Sequence, residues 1–192
     1  MTIRTILTAA LLAVPQLASA QEGFEELRDQ CIACHGETGQ SETEETPSLG
    51  GLDDYYALIS LVGFREGRRP SDIMADITAD MSNNDLRAAA AWIQGLPDPE
   101  PPEAPGDPAI MERGAALARD HHCVQCHGAE LRGGHQMPSI RNQREDYLLK
   151  ALRDYKAERR LGDRAAMVEV VQELGEAELA DLAHYVAHLP AE

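Results

Sequence analysis

The sequence contains four cysteines, in two pairs of one pattern: Cys31-Ile-Ala-Cys34-His35 and Cys123-Val-Gln-Cys126-His127. C-x-x-C-H is the attachment sequence for c-type haem. Two thiols three residues apart on a helical turn reach the two vinyl groups of one porphyrin and form thioethers. The histidine that follows is then held under the iron and supplies a nitrogen ligand. Other chemistries also use paired cysteines. A thioredoxin-type redox disulfide belongs to a strand–helix context that is not visible here. Zinc sites usually bring two pairs together across a short gap, whereas these pairs lie 92 residues apart and each carries its own histidine. The sequence therefore predicts two covalently bound haem c groups, one on Cys31, Cys34 and His35, the other on Cys123, Cys126 and His127.

The sixth iron ligand separates a carrier from a catalyst. A methionine sulfur closes the iron and raises its potential, while an open position admits ligand chemistry. Beyond the first residue, methionines stand at 74, 81, 111, 137 and 167. The default role of each is core filling. Aligning the two halves discriminates among them. Met81 falls opposite Leu174 and reads as packing; Met137 falls opposite Thr46 and reads as a loop or pocket residue; Met111 precedes the second motif. Met74 and Met167 match each other, 39 and 40 residues after His35 and His127. They are the predicted axial ligands. Both irons are then six-coordinate, and the chain is not by itself an enzyme.

Residues around these ligands complete the expected sites. A ligating histidine usually donates its other ring N–H to a fixed acceptor. The matching loops Pro47-Ser48-Leu49 and Pro138-Ser139-Ile140 follow the histidines by 12 and 11 residues and offer carbonyls for that role. The pairs Arg68-Arg69 and Arg159-Arg160 read equally as counter-charges for haem propionates or as solvated helix ends. His121, His122, His135, His184 and His188 have no counterpart in the first half and read as surface or packing residues.

The elements that position these groups come as a duplication. The cysteine motifs repeat with offset 92, the proline loops with 91, Phe64/Tyr155 and the arginine pairs with 91, and Met74/Met167 and Trp92/Tyr185 with 93. A drift of two residues over so many points marks an internal repeat. The pattern is all-α. Leu86, Ala89, Ile93 and Leu96 form one apolar stripe and Leu179, Leu182, Val186 and Leu189 another, each expected to stop at a proline, Pro97 or Pro190. Ser82 with Asp85 reads as an N-cap, and Gly175 with Glu178 takes the same places. Shorter helices are expected at Glu22–Gln30, Ala109–Asp120, Asp53–Phe64 and Glu145–Lys156.

Four segments follow. Residues 1–20 read as a secretory signal: Arg4, an apolar stretch, then Ala18-Ser19-Ala20 as the cleavage site. It is shorter than the roughly 20 continuous apolar residues that span a bilayer. No later stretch is apolar enough to span, so a soluble periplasmic chain with no transmembrane anchor after cleavage is expected. Residues 21–96 form the first haem domain and 109–192 the second. Residues 97–108, with six prolines and four acidic residues, form a semi-rigid linker. The charge is uneven: 21–95 holds 15 acidic and 5 basic side chains, whereas 109–192 holds 14 and 11. Such acidity excludes nucleic acid and anionic membrane surfaces as natural partners.

On C-x-x-C-H-G at 31–36 and 123–128, the P-S-L/I loops, Met74, Met167 and the final helices, the chain resembles the cytochrome c4 family over its whole mature length. That resemblance implies two class I cytochrome c domains related by approximate two-fold symmetry. It implies axial pairs His35/Met74 and His127/Met167, and single-electron transfer to periplasmic redox proteins or a terminal oxidase of a respiratory chain. The proline loop departs from the P-x-L-A-G-Q pattern of that family, reading Gly50-Gly51 and Arg141-Asn142 after P-S-L/I. Residues 47–92 are also similar to the dihaem cytochrome subunit of flavocytochrome c sulfide dehydrogenases, which implies instead the electron-accepting subunit of a periplasmic flavoprotein dehydrogenase. A dihaem peroxidase is a third possibility and requires an open iron, against which the matched methionines argue.

Overall fold

The computed structural model describes residues 17–160 and 165–190. The expected signal segment therefore lies mostly outside the described residues. Nine helices are present among them: α1 (Leu17–His35), α2 (Asp54–Arg65), α3 (Asp72–Ala79), α4 (Asn83–Gln94), α5 (Pro108–Asp120), α6 (Cys123–His127), α7 (Glu145–Lys156), α8 (Ala165–Gln172) and α9 (Glu176–Ala187). The only β pairing among these residues is one isolated bridge, Gly134 with Met137.

Local chemistry sets the helix starts. Asp53 caps α2 by accepting from Tyr55 N–H, Ser71 caps α3 by accepting from Met74 N–H, and Ser82 and Asp85 form a reciprocal capping box on α4. Asp107 accepts from the Ala109 and Ile110 N–H groups, and Pro108 opens α5 where its missing N–H costs nothing. On α9 the glycine has no side chain to contribute, so only half a box forms: Gly175 N–H donates to Glu178.

The final helices end earlier than the prolines suggested. Helix α4 ends at Gln94 with Gly95 as its cap, and α9 ends at Ala187 with His188 as its cap. At α4 the Gly95 and Leu96 N–H groups donate to Trp92 O and Ile93 O before Pro97 is reached, whereas at α9 His188 N–H donates to His184 O and Val186 O accepts from the distant Asn142 N–H. The expected helix at 22–30 is also corrected: α1 continues through the first cysteine motif to His35. Helices α3 and α8 are eight residues each, too short for the sequence pattern to reveal.

Each half closes its own core. Phe24, Ala57, Leu61, Met81, Leu86, Ala89, Ala90 and Ile93 pack together in the first half. Two clusters, around Leu174–Leu179 and around Leu131, Leu148 and Val186, fill the second. The repeat partners Leu86 and Leu179 are both 0 % exposed. Burying one leucine fully contributes about 1.5–3 kcal/mol. Met81 and Leu174 are both buried, as expected of packing residues. The extensive helix contacts run within halves: α1·α4, α2·α4 and α2·α3 in one, α5·α9, α7·α9 and α7·α8 in the other. At Gly114 helix α5 lies so close to α9 that a Cβ would stand 2.4 Å from Tyr185 Cβ.

Candidate haem sites

In the first half Cys31, Cys34 and His35 lie on the last turns of α1. In the second half the chain breaks at His121–His122, with His122 left-handed at φ 57°, and a separate turn of helix, α6, carries Cys123, Cys126 and His127. Cys31 and Cys123 are half-buried, Cys34 and Cys126 exposed, and none is in a disulfide. Burial pushes the Cys31 and Cys123 thiols up. A redox-active C-x-x-C needs the opposite, a stabilised thiolate.

The two histidines are held alike. His35 and His127 are 7 % and 6 % exposed. His35 Nδ1 stands 2.8 Å from Pro47 O, and His127 Nδ1 stands 2.9 Å from Pro138 O. A carbonyl oxygen only accepts, so each Nδ1 carries the proton and donates. Each Nε2 is left with a lone pair. Burial, aided by the nearby Arg69, keeps His35 below the usual histidine range and so neutral. A neutral, orientationally fixed imidazole is what a metal ligand requires.

The two methionines occupy equivalent places, Met74 in the first turn of α3 and Met167 early in α8. Met74 borders the first core, and Met167 borders a second-half core together with Cys123. Met74 is pinned at both ends of its peptide: its N–H donates to Ser71 Oγ at 3.3 Å, and Thr78 Oγ donates to its carbonyl at 2.7 Å. Met137 lies in the Gly134–Met137 turn, and Met111 lies on α5.

The arginine pairs divide their roles. Arg68 and Arg159 face outward to Glu66 and Asp154. Arg69 and Arg160 instead cross between the halves. Arg69 donates to Tyr147 Oη at 2.8 Å and lies 4.5 Å over the Phe64 ring. Arg160 donates to Tyr56 Oη at 3.0 Å and lies 4.7 Å over the Tyr155 ring. Tyr56/Tyr147 share the offset of 91 with Arg69/Arg160, so this is one contact made twice about a pseudo-two-fold axis. Sequence reasoning missed the tyrosines, although their shared offset was the available signal.

Arg160 is 9 % exposed. Burial works against its charge, but the phenols of Tyr56, Tyr147 and Tyr155 outweigh it and raise its pKa. Among the described residues no carboxylate stands within ion-pair distance of Arg69 or Arg160. Arg69 and Arg160, with no carboxylate partner among the described residues, together with two free thiol pairs and two buried histidines, make a set of groups that fits two haem groups with their propionates.

Other bonds between the halves bear on the proline loops. Gln143 Oε1 accepts from Ser48 N–H at 2.7 Å and its Nε2 donates to Ser48 O at 2.8 Å, bracing the residue after Pro47. Arg144 donates to Ser41 O, and Glu45 N–H donates to Asp146. In the divergent Arg141-Asn142 dipeptide, Arg141 donates to Pro190 O and Asn142 Nδ2 donates to Pro99 O, fastening the proline-rich segment to the second loop.

Family models match both halves of the chain. The family described as Cytochrome c matches residues 111–190, and that described as Cytochrome C oxidase, cbb3-type, subunit III, matches residues 18–93. The chain is 26 % identical to a cytochrome c4 of Thiocapsa roseopersicina, over 92 % of this chain and 96 % of that protein. It is 28 % identical to a thiosulfate dehydrogenase electron acceptor of Stutzerimonas stutzeri, over 83 % of this chain and 78 % of that one. The fold matches reduced recombinant cytochrome c4 from Pseudomonas stutzeri with a TM-score of 0.78 at 24 % identity, covering 92 % of this chain and all of that one. Among the described residues no helix is long and apolar enough to cross a membrane.

Proposed function

We propose that the chain is a dihaem c-type cytochrome of the cytochrome c4 type, with two covalently bound haem c groups in two cytochrome c domains, and that it is a periplasmic shuttle passing single electrons between redox partners of a respiratory chain. Residues 1–20 are the signal peptide, 21–96 and 109–192 the domains, and 97–108 the linker. Cys31 and Cys34, with Cys123 and Cys126, attach the haems, and His35/Met74 and His127/Met167 are the axial pairs. The observation that carries the reading is the repeated lock of a buried histidine Nδ1 on a proline carbonyl.

Haem c supplies a one-electron ferric/ferrous couple when bound. The protein's part is to hold its own atoms still. Pro47 and Pro138 keep the Nε2 lone pairs of His35 and His127 aimed, Ser71 and Thr78 fix Met74, and the apolar cores pack against both half-buried methionines. Arg69 and Arg160 offset propionate charge where the two domains meet. With Met74 and Met167 as ligands beside His35 and His127, neither iron would keep a site for substrate, and the chain alone would not be an enzyme. Ile73, 71 % exposed beside Met74 and flanked by the exposed Asp72, Asp76 and Asp80, suits a partner with a basic, apolar-centred docking face.

The likeness to thiosulfate dehydrogenase electron acceptors supports a second reading, the electron-accepting partner of a periplasmic dehydrogenase, a flavoprotein included. Gentle purification from the native periplasm, with native mass, haem content and a flavin assay, separates the two. A lone chain of the mature mass with two haems supports the shuttle. Stoichiometric co-purification with a larger dehydrogenase chain supports the second reading. Rapid carbon monoxide binding by the reduced protein would overturn closed coordination and revive a peroxidase. Electron-transfer rates that ignore ionic strength would remove electrostatic docking.

A further inference from the structure

Glu145, at the start of α7, faces His184 and His188, at the end of α9. One ligand atom from each of the three lies within 4.8 Å of those of the other two. His184 Nδ1 is 3.1 Å and His188 Nδ1 3.7 Å from Glu145 Oε2. Around a zinc ion, ligand atoms at about 2.1 Å stand roughly 3.4 Å apart in a tetrahedron. The two imidazoles are stacked, with centroids 4.1 Å apart and planes 28° apart. Turning them about their soft terminal torsions converges the lone pairs. The field also suits a cation: the histidines occupy the last turn and cap of α9, the negative end of its dipole. An i, i+4 histidine pair with one carboxylate is a borderline donor set that leaves a coordination position for water.

We propose that Glu145, His184 and His188 form a binding site for one divalent transition-metal ion of the zinc or copper class, separate from both haems. The site is coupled to the proline-rich segment. His184 Nε2 accepts from Asp107 N–H at 2.9 Å, so the ring proton sits on Nδ1 and donates to Glu145. His188 Nδ1 donates to His184 O. A metal ion on the Nδ1 atoms needs both ring protons on Nε2: each Nδ1 proton leaves to water and each Nε2 takes one up, with no net release. At His184 the new Nε2–H then meets Asp107 N–H, two donors head to head. Gly106, where a Cβ would stand 2.9 Å from His188 Cβ, leaves the segment no room to slide closer. Metal occupancy therefore loosens the start of α5.

The test titrates zinc chloride into the haem-loaded ferric full mature chain by calorimetry in a non-coordinating buffer, and follows hydrogen exchange at Asp107. One ion per chain is expected, weakened in Glu145→Gln and His188→Ala by at least the roughly 10- to 100-fold that outer-shell changes already cost. His121→Ala/His122→Ala should leave uptake unchanged, and zinc should speed Asp107 exchange. Glu145→Gln is isosteric and exposed, so it tests ligation even if His188→Ala perturbs the fold. No saturable uptake, or uptake unaltered in both ligand variants, overturns the site and leaves the three residues as a polar clamp between helices. Uptake without faster Asp107 exchange overturns the coupling.

Discussion

In the first half α1 runs unbroken into the cysteine motif, Met74 is tied by Ser71 and Thr78, and Arg69 is only half-buried. In the second the helix breaks before Cys123, Val171 stands where Thr78 does, and Arg160 is buried. What stays the same is the histidine-to-proline bond, within 0.1 Å in the two copies. Duplication has preserved the atoms that orient a ligand and let the surrounding dielectric and hydrogen bonding drift. With 15 acidic against 5 basic side chains over 21–95, and 14 against 11 over 109–192, the two sites also sit in different fields. The two repeat-related sites thereby acquire unequal environments.

The largest effects should come from the cores. Leu86→Ala and Leu179→Ala should each cost about 2–5 kcal/mol in chemical denaturation. If the halves are separate units, each variant shifts only its own phase. A single shared transition moved equally by both would mean that the interface fuses them.

Met74→Ala and Met167→Ala should each lower one of the two reduction potentials, by on the order of 0.1 V within the range that axial ligands command, and leave the other nearly in place. Each should also open its reduced iron to carbon monoxide. Redox titration resolving the two waves gives the assignment, and a variant that moves both waves alike would deny the halves their independence.

The reciprocal arginine contacts should prove unequal. Tyr56→Phe removes a bond to a buried cation and should cost about 1.5–3 kcal/mol. Tyr147→Phe, whose arginine is less buried, should cost under about 1 kcal/mol. Equal losses in thermal or denaturant unfolding would contradict the difference in burial.

Thr78→Val should cost about 0.5–1.5 kcal/mol by removing the bond to Met74 O. Val171→Thr should be near neutral, because a helical threonine hydroxyl can bond the carbonyl four residues back.

The smallest effect separates the halves by pH. Burial alone would raise Asp154, but Lys150 and Arg159 outweigh it and hold its carboxyl below the usual range. A depressed folded pKa stabilises above the unfolded value, about 3.9 for aspartate, and that stability is lost as pH falls through the folded value. The repeat places Gly63 opposite Asp154, so acid should weaken the second half by this route and not the first. Asp154→Asn should flatten the acid slope of the second-half transition.

Much of this molecule was legible in the sequence because its chemistry is local. C-x-x-C-H fixes three groups within five residues, and the proline acceptor surfaced once the repeat aligned the two halves, which also pairs Met74 with Met167. The cap of α4 was readable from Ser82 and Asp85. Short α3 and α8 carry too few turns for periodicity, and their stability comes from packing on α2 and α7. The Arg–Tyr exchange stayed hidden because each residue alone reads as a solvated helix end or a core aromatic. Only their joint offset, together with an assumed two-fold axis, makes them partners. Likewise His184 and Glu145 are 39 residues apart, and nothing local announces that they meet.

The Arg–Tyr interface has a kinetic consequence that follows from its being intramolecular. Two free copies would have to meet by diffusion before the Arg–Tyr bonds and the Gln143–Ser48, Arg144–Ser41 and Glu45–Asp146 bonds between the halves could form. A short covalent tether between them acts as an effective concentration of about millimolar. Reclosure after an opening is then intramolecular, so the pairing tolerates weaker bonds than a two-chain assembly of the same contacts at lower concentration. Cutting the backbone within 97–108, with no residue removed, would make closure depend on dilution for the first time.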